Sequence, residues 1–180
     1  MPLIMAISAF AALVSMGGAP RASILMGKKD QEGAERILGN CTTMLVCTAT
    51  VLTVFILLAG RSILMLFGAS ENTIGYAWSY MQIYAVGTLF VQTALGLNAF
   101  INAQGFAKIG MFTVAIGAIC NIILDPIFIF GLGMGVRGAA LATILSQAVS
   151  SVWVVGFLVS EKSTLRIRPK NLKLSAKVIL

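Results

Sequence analysis

The sequence predicts an all-α, polytopic membrane protein with about five spans, and three observations carry that prediction. Of 180 residues, 58% are hydrophobic and only 11% charged, where soluble domains run near about 25% charged. The mean hydropathy is +0.95. Long, nearly uncharged runs recur at Cys41–Gly60, Tyr76–Ala107, Ile109–Val136 and Gly138–Ser160. Each can cross a bilayer at about 20 residues per helix. Lysines and arginines also alternate between loops. Eleven of the 13 fall in the first, third and fifth connections, and only Arg61 and Arg137 in the others. The positive-inside rule places the eleven in the cytoplasm.

The expected spans are about 1–26, 31–60, 72–101, 107–131 and 137–160, followed by a basic cytoplasmic segment at 161–180. Span one stops at Gly17-Gly18-Ala-Pro20 or runs on to Gly27, since Pro20 can end a helix or sit within it. A polar turn follows, and Glu32 and Arg36 have the spacing of a helical ion pair. After Gly60 the stretch from Arg61 reads as a separate short interfacial helix, with Ser70 as N-cap of the next span. Trp78, Tyr80 and Tyr84 suit the outer interface. Asn102–Gly105 makes a tight inner turn, and the glycine-rich 131–138 an outer one. The out-to-in direction of span one leads us to expect a further helix upstream. Lys162–Lys177 carries six cations interleaved with leucine and isoleucine, a composition suited to anionic headgroups rather than nucleic acid.

The most informative side chain is Asp125, the only charge between Ile109 and Val136. A carboxylate at that depth costs at least about 2.5 kcal/mol and marks a functional position by default. Gly110, Thr113, Gly117, Asn121 and Asp125 recur every three or four residues, forming one small or polar stripe. Phe112, Ile116, Ile119, Ile123 and Phe130 form the opposite, lipid-compatible face. Asn121 and Asp125 can aim oxygens at one cation, and Pro126 cannot donate to the Ile122 carbonyl, which provides a hinge. The alternative is an Asn/Asp pair used only for helix packing. On span five, Thr143 and Gln147 are the polar members of a small-residue face with Ala139, Ala142, Ser146, Ser150 and Ser151. Tyr80, Asn98 and Asn102 make a partly polar face on span three.

Other chemistries lose their residues. There is no histidine, so zinc and haem lack their usual ligands. Cys41, Cys47 and Cys120 read as buried small hydrophobes. Gly133-Met-Gly-Val-Arg-Gly138 matches a dinucleotide fingerprint, but the flanking runs are membrane helix and not a βαβ unit. No organic cofactor is expected, and the reading is transport rather than enzymatic catalysis.

The stretch NIILDPIFIFGLGMGVRGAALATILSQ at 121–147, with GLNAFINAQG at 96–105 and LFGASE at 66–71, resembles the multidrug and toxic compound extrusion (MATE) family. The resemblance covers essentially the whole chain. It implies helices two to six of the N-terminal six-helix lobe plus the start of the inter-lobe linker, with helix one and a C-terminal lobe as missing partners. It further implies an antiporter in the inner (plasma) membrane. Amphipathic or cationic compounds would leave in exchange for Na+ or H+, bound by Asp125, Asn121 and Thr143. Asn98 and Tyr80 would line the same cavity, a looser correspondence, and the family's helix-one aspartate has no counterpart here. Rival readings are a lipid-linked oligosaccharide flippase, which needs a cationic cavity, an ion channel, and a truncated remnant without activity.

Overall fold

A computed structural model describes residues 2–172. Six long helices make the bundle: α1 (Pro2–Gly27), α2 (Gln31–Leu66), α3 (Ile74–Val86), α4 (Thr88–Ala103), α5 (Ala107–Pro126) and α6 (Val136–Val159). A π-helical segment, Ile127–Gly131, continues α5, and a 3-10 turn, Pro169–Asn171, lies in the final described stretch. Among the described residues, four helices are long and apolar enough to cross a membrane, or five if α3 and α4, which meet at a 58° bend, form one span.

Of the two ends considered for span one, the helix takes the later. Pro20 is inside α1, which runs to Gly27. The turn that follows places Lys29 at φ 60°, and Asp30 caps α2 by accepting from the Gly33 N–H at 2.9 Å. Span two differs from expectation. No separate interfacial helix follows Gly60; α2 continues unbroken to Leu66. Gly60 is a contact point and not a breaker: a side chain there would come within 2.8 Å of the Trp78 ring. At 36 residues, α2 is about 54 Å long, well beyond the roughly 30 Å hydrocarbon layer. The next helix starts from Thr73, not Ser70. The Ser70 carbonyl accepts from Thr73 and Ile74, which makes Ser70 the first residue of the preceding turn.

The single span expected over 72–101 is likewise two helices. Gly87 lies at the break, and the space its side chain would fill is occupied by Ile144 of α6. The Thr88 hydroxyl donates to the Tyr84 carbonyl at 3.3 Å, which helps satisfy the interrupted backbone. The aromatics expected at the outer interface pack against the bundle. Tyr84 is buried with Met81, Ile7 and Ile56, and Trp78 and Tyr80 pack against that cluster. Of the cysteines, only Cys41 is buried; Cys47 is exposed and Cys120 is between the two. Their thiols are small enough for either surface, so periodicity alone could not sort them.

Two apolar clusters fill the bundle. One, with Leu3, Ile7, Ile56 and Met81, lies toward the α3 end. The other joins Ala11, Leu38, Leu45, Phe100, Leu158 and Leu165 at the end rich in basic residues. The expected outward face of α5 is outward: Phe112, Ile119, Ile123 and Phe130 are exposed, and Ile116 is half-buried. Only Gly110, Thr113 and Gly117 of α5 are buried within the protein, against nine residues of α6. Lipid is the natural neighbour of such a surface.

The described part of the basic stretch after Ser160 is docked and not free. Residues 161–172 fold back on the bundle, with Leu165 fully buried and the Ile167 N–H donating to the Leu158 carbonyl at 3.0 Å. Lys173 and Lys177, which belong to the expected headgroup-binding run, lie outside the described residues.

Candidate ion and substrate site

The stripe on α5 is a seam before it becomes a site. Gly110, Thr113 and Gly117 are buried, because neighbouring helices approach closely at the glycines. A side chain on Gly117 would come within 2.7 Å of the Ser150 hydroxyl on α6, and one on Gly110 would overlap the Asn102 amide on α4. The seam is tied by hydrogen bonds. Ser150 donates to the Thr113 carbonyl at 3.1 Å, and the Asn98 amide donates to the Gly110 carbonyl at 3.3 Å.

Beside this seam, α4, α5 and α6 leave a cavity of about 280 Å³. Asn98, Asn121, Thr143 and Gln147, all singled out from the sequence, line it, together with Thr113, Ser146 and Ser150. Its volume is near the lower edge of small-molecule pockets, roughly 300–1,000 Å³. That is ample for an ion with water and tight for a whole drug-sized molecule.

Several lining hydroxyls have already spent their protons. Thr143 donates to the Ala139 carbonyl at 2.9 Å, Ser146 to Ala142 at 2.7 Å and Thr113 to Ile109 at 3.2 Å. Each oxygen is left as an acceptor, so this part of the wall suits a cation or a donor-bearing ligand. No lysine or arginine lines the cavity.

Asp125 lies one helical turn beyond Asn121, next to the lining rather than in it. One of its carboxylate oxygens is buried without a hydrogen bond, and so are the Asn121 amide nitrogen and the Asn98 carbonyl oxygen. Buried polar atoms are almost always paired. Three such atoms lie on and around this one seam. Neither ion pair among the described residues involves Asp125.

At Pro126 the helix changes type. The π-helical segment begins at Ile127, with Leu132 donating five residues back to the Ile127 carbonyl at 2.9 Å. Pro126 has no N–H to give the Ile122 carbonyl, and π-helical turns inside α-helices occur often at functional positions. The start of α6 presses on the same segment, since a side chain on Gly138 would reach within 2.7 Å of the Phe128 backbone. Gly133 and Gly135, in the turn between, have φ of 62° and 54°. These glycines shape a turn, in agreement with the rejected dinucleotide motif.

Tyr80 is elsewhere. It lines a separate pocket with Leu3, Ile4, Tyr76, Met81 and Val136, and its ring stacks on Tyr84 with centroids 5.9 Å apart. The 58° bend at Gly87 re-aims α3 relative to α4, so the spacing from Tyr80 to Asn98 no longer describes one straight face. Thr113, a member of the expected α5 stripe, lines the cavity, and so do Ser146 and Ser150, which were read as packing residues. The three- and seven-residue spacing of Ser146 and Ser150 from Thr143 was the available signal.

The MatE family model matches residues 1–127. The chain belongs to the MatE family. It is 30% identical over 173 residues to the multidrug export protein MepA of Staphylococcus haemolyticus (strain JCSC1435), covering 96% of this chain and 38% of that protein. Among solved structures it resembles an inward-facing multidrug resistance MATE family transporter of the MOP superfamily, with TM-score 0.93 and 28% identity. That match covers 99% of this chain and 41% of the transporter. The outward-facing form of such a transporter fits with TM-score 0.91 and 28% identity, over 99% of this chain and 40% of its own. The chain thus spans about two fifths of the length of its MatE relatives, and its fold agrees with the equivalent region in either conformation.

Proposed function

We propose that this chain forms the ion-handling part of a multidrug efflux antiporter, exporting amphipathic, often cationic compounds in exchange for Na+ or H+. The observation that carries the reading is the buried, unpartnered carboxylate oxygen of Asp125 beside an acceptor-rich cavity. An unpaired acid among membrane helices is costly, and a proton or a cation relieves that cost directly.

In this reading Na+ or a proton arrives at Asp125, with Asn121 and Thr143 contributing oxygens and the Ile122 carbonyl available because Pro126 cannot occupy it. Neutralising the carboxylate removes the penalty for burying it more deeply. The α5 helix then re-registers at the π-helical segment, the wall holding Asn121 shifts, and the cavity reshapes to release substrate. Alternating access requires only that ion and substrate favour different arrangements of the same elements. A coupling of about 1–3 kcal/mol between the two sites is typical. Asn98 and Gln147 contact substrate or its hydration water in the cavity, and the remaining wall comes from the rest of the transporter. The basic end faces the cytoplasm and the spans lie in the plasma (inner) membrane. A cavity lined without lysine or arginine supports cationic substrates over the anionic lipid-linked sugars a flippase would carry.

The test is efflux by cells expressing the transporter that contains this segment, with Asp125→Asn. Efflux and its dependence on a Na+ or H+ gradient should fall at least about tenfold. Undiminished, gradient-dependent efflux in that variant defeats the proposal.

A further inference from the structure

The stretch 161–172 is anchored to three separate parts of the bundle. On α2, Glu35 is 4% exposed and meets Arg168 at 2.9 Å. At the α4–α5 turn, a single Gln104 carbonyl oxygen accepts from both the Ser163 hydroxyl at 2.9 Å and the Leu165 N–H at 2.8 Å. At the end of α6, the Leu158 carbonyl accepts from Ile167. Further contacts continue along α2: Thr43 donates to the Leu172 carbonyl at 2.7 Å, Gln31 donates to the Thr164 carbonyl, and the Asn171 backbone fills the space beside Gly39. Leu165 is fully buried in the apolar cluster that holds Leu38 and Leu158.

The helices these anchors join do not all touch. α2 packs on α1, α3 and α4, and α6 on α3, α4 and α5, but α2 and α6 do not pack on each other. We infer that residues 161–172 form a latch that holds the ends of α2 and α6 together across this gap, fastened by the Glu35–Arg168 ion pair and by Gln104.

Two features make the stretch a latch and not simply another wall. Its only regular structure is the three-residue turn Pro169–Asn171, so tertiary anchors rather than a helical ladder hold it. Arg168 is half-exposed, which lets water compete for the guanidinium. Segments held in this way open locally before the helices do. α6 also carries Thr143 and Gln147 in its other half, so the latch fixes the far end of a cavity wall. This inference does not depend on the transport reading.

Hydrogen exchange on the full chain in lipid nanodiscs tests it, with Leu165 and Ile167 as reporter amides. Arg168→Gln and Gln104→Ala should each speed exchange through 161–172 by about tenfold or more. The first turn of α2 and the last turn of α6 should exchange faster in the same variants, while the centre of α1 stays unchanged. Arg168→Lys, which keeps the charge, should return most of the protection. Unchanged exchange in 161–172 overturns the inference. So does a loosened stretch with both helix ends unaffected, which would make it a cover and not a latch. A uniform rise through every helix overturns it as well, because the stretch would then open only with the whole fold.

Discussion

The two ends of α6 illustrate opposite uses of buried polar groups. Near its start, the cavity wall it shares with α4 and α5 collects orphans: Asn98, Asn121 and Asp125 each bury a polar atom with no hydrogen-bond partner. Near its finish the buried polar groups are mostly matched. Glu35 has Arg168, Ser163 shares its one hydroxyl proton between Gln104 and the Leu165 carbonyl, and Gln104 also accepts from the Leu165 N–H. There the Asn171 amide nitrogen is the exception. A satisfied buried group holds structure together, whereas an unsatisfied one keeps its desolvation cost. In the proposed transport reading the first end binds, while the second holds.

That contrast can be broken by substitution. The largest stability loss is expected from Arg168→Met, which strands the buried Glu35 carboxylate. Removing one partner of a fully buried pair costs about 3–5 kcal/mol. Because Arg168 is half-exposed, we expect about 2 kcal/mol, read from thermal unfolding in detergent. Glu35→Gln should cost clearly less, since the guanidinium left behind can reach water. Equal losses in the two variants would remove the asymmetry on which the contrast rests.

Gln104→Ala comes next, at about 1–2 kcal/mol for two hydrogen bonds to one oxygen. At the cavity the sign should change. Asp125→Asn should leave unfolding unaltered or raise stability by up to about 1 kcal/mol, because an unpaired acid is removed while transport is lost. A strong destabilisation would mean that Asp125 is structural. The smallest effect should come from Thr143→Val, within about 0.5 kcal/mol for stability. Its consequence should appear in the ion-concentration dependence of efflux.

Much of this was legible without coordinates. The α5 stripe was readable because a helix repeats every 3.6 residues whatever surrounds it, so Gly110 through Asp125 had to share a face. Asn98, Thr143 and Gln147 followed from the same rule on their own helices. Tyr80 did not, because the rule holds only along an unbroken helix and Gly87 breaks this one. The continuity of α2 through Gly60 was hidden for a related reason. A glycine can end a helix or admit a neighbour, and only Trp78, distant in sequence, decides which. The docking of 161–172 was invisible because its basic composition is equally that of a free tail; its order depends on Glu35 and Gln104, far back along the chain.

Composition and spacing by themselves determined the membrane class, the four or five apolar spans and the lone acid of α5. Each is a local or cumulative property of the chain: apolar length, helical period, the cost of a charge in lipid. Tertiary structure decided where helices bend, which polar atoms lack partners and what the final stretch grips. Those outcomes depend on which distant residues meet, and a partner's absence can be seen only once every neighbour has been placed.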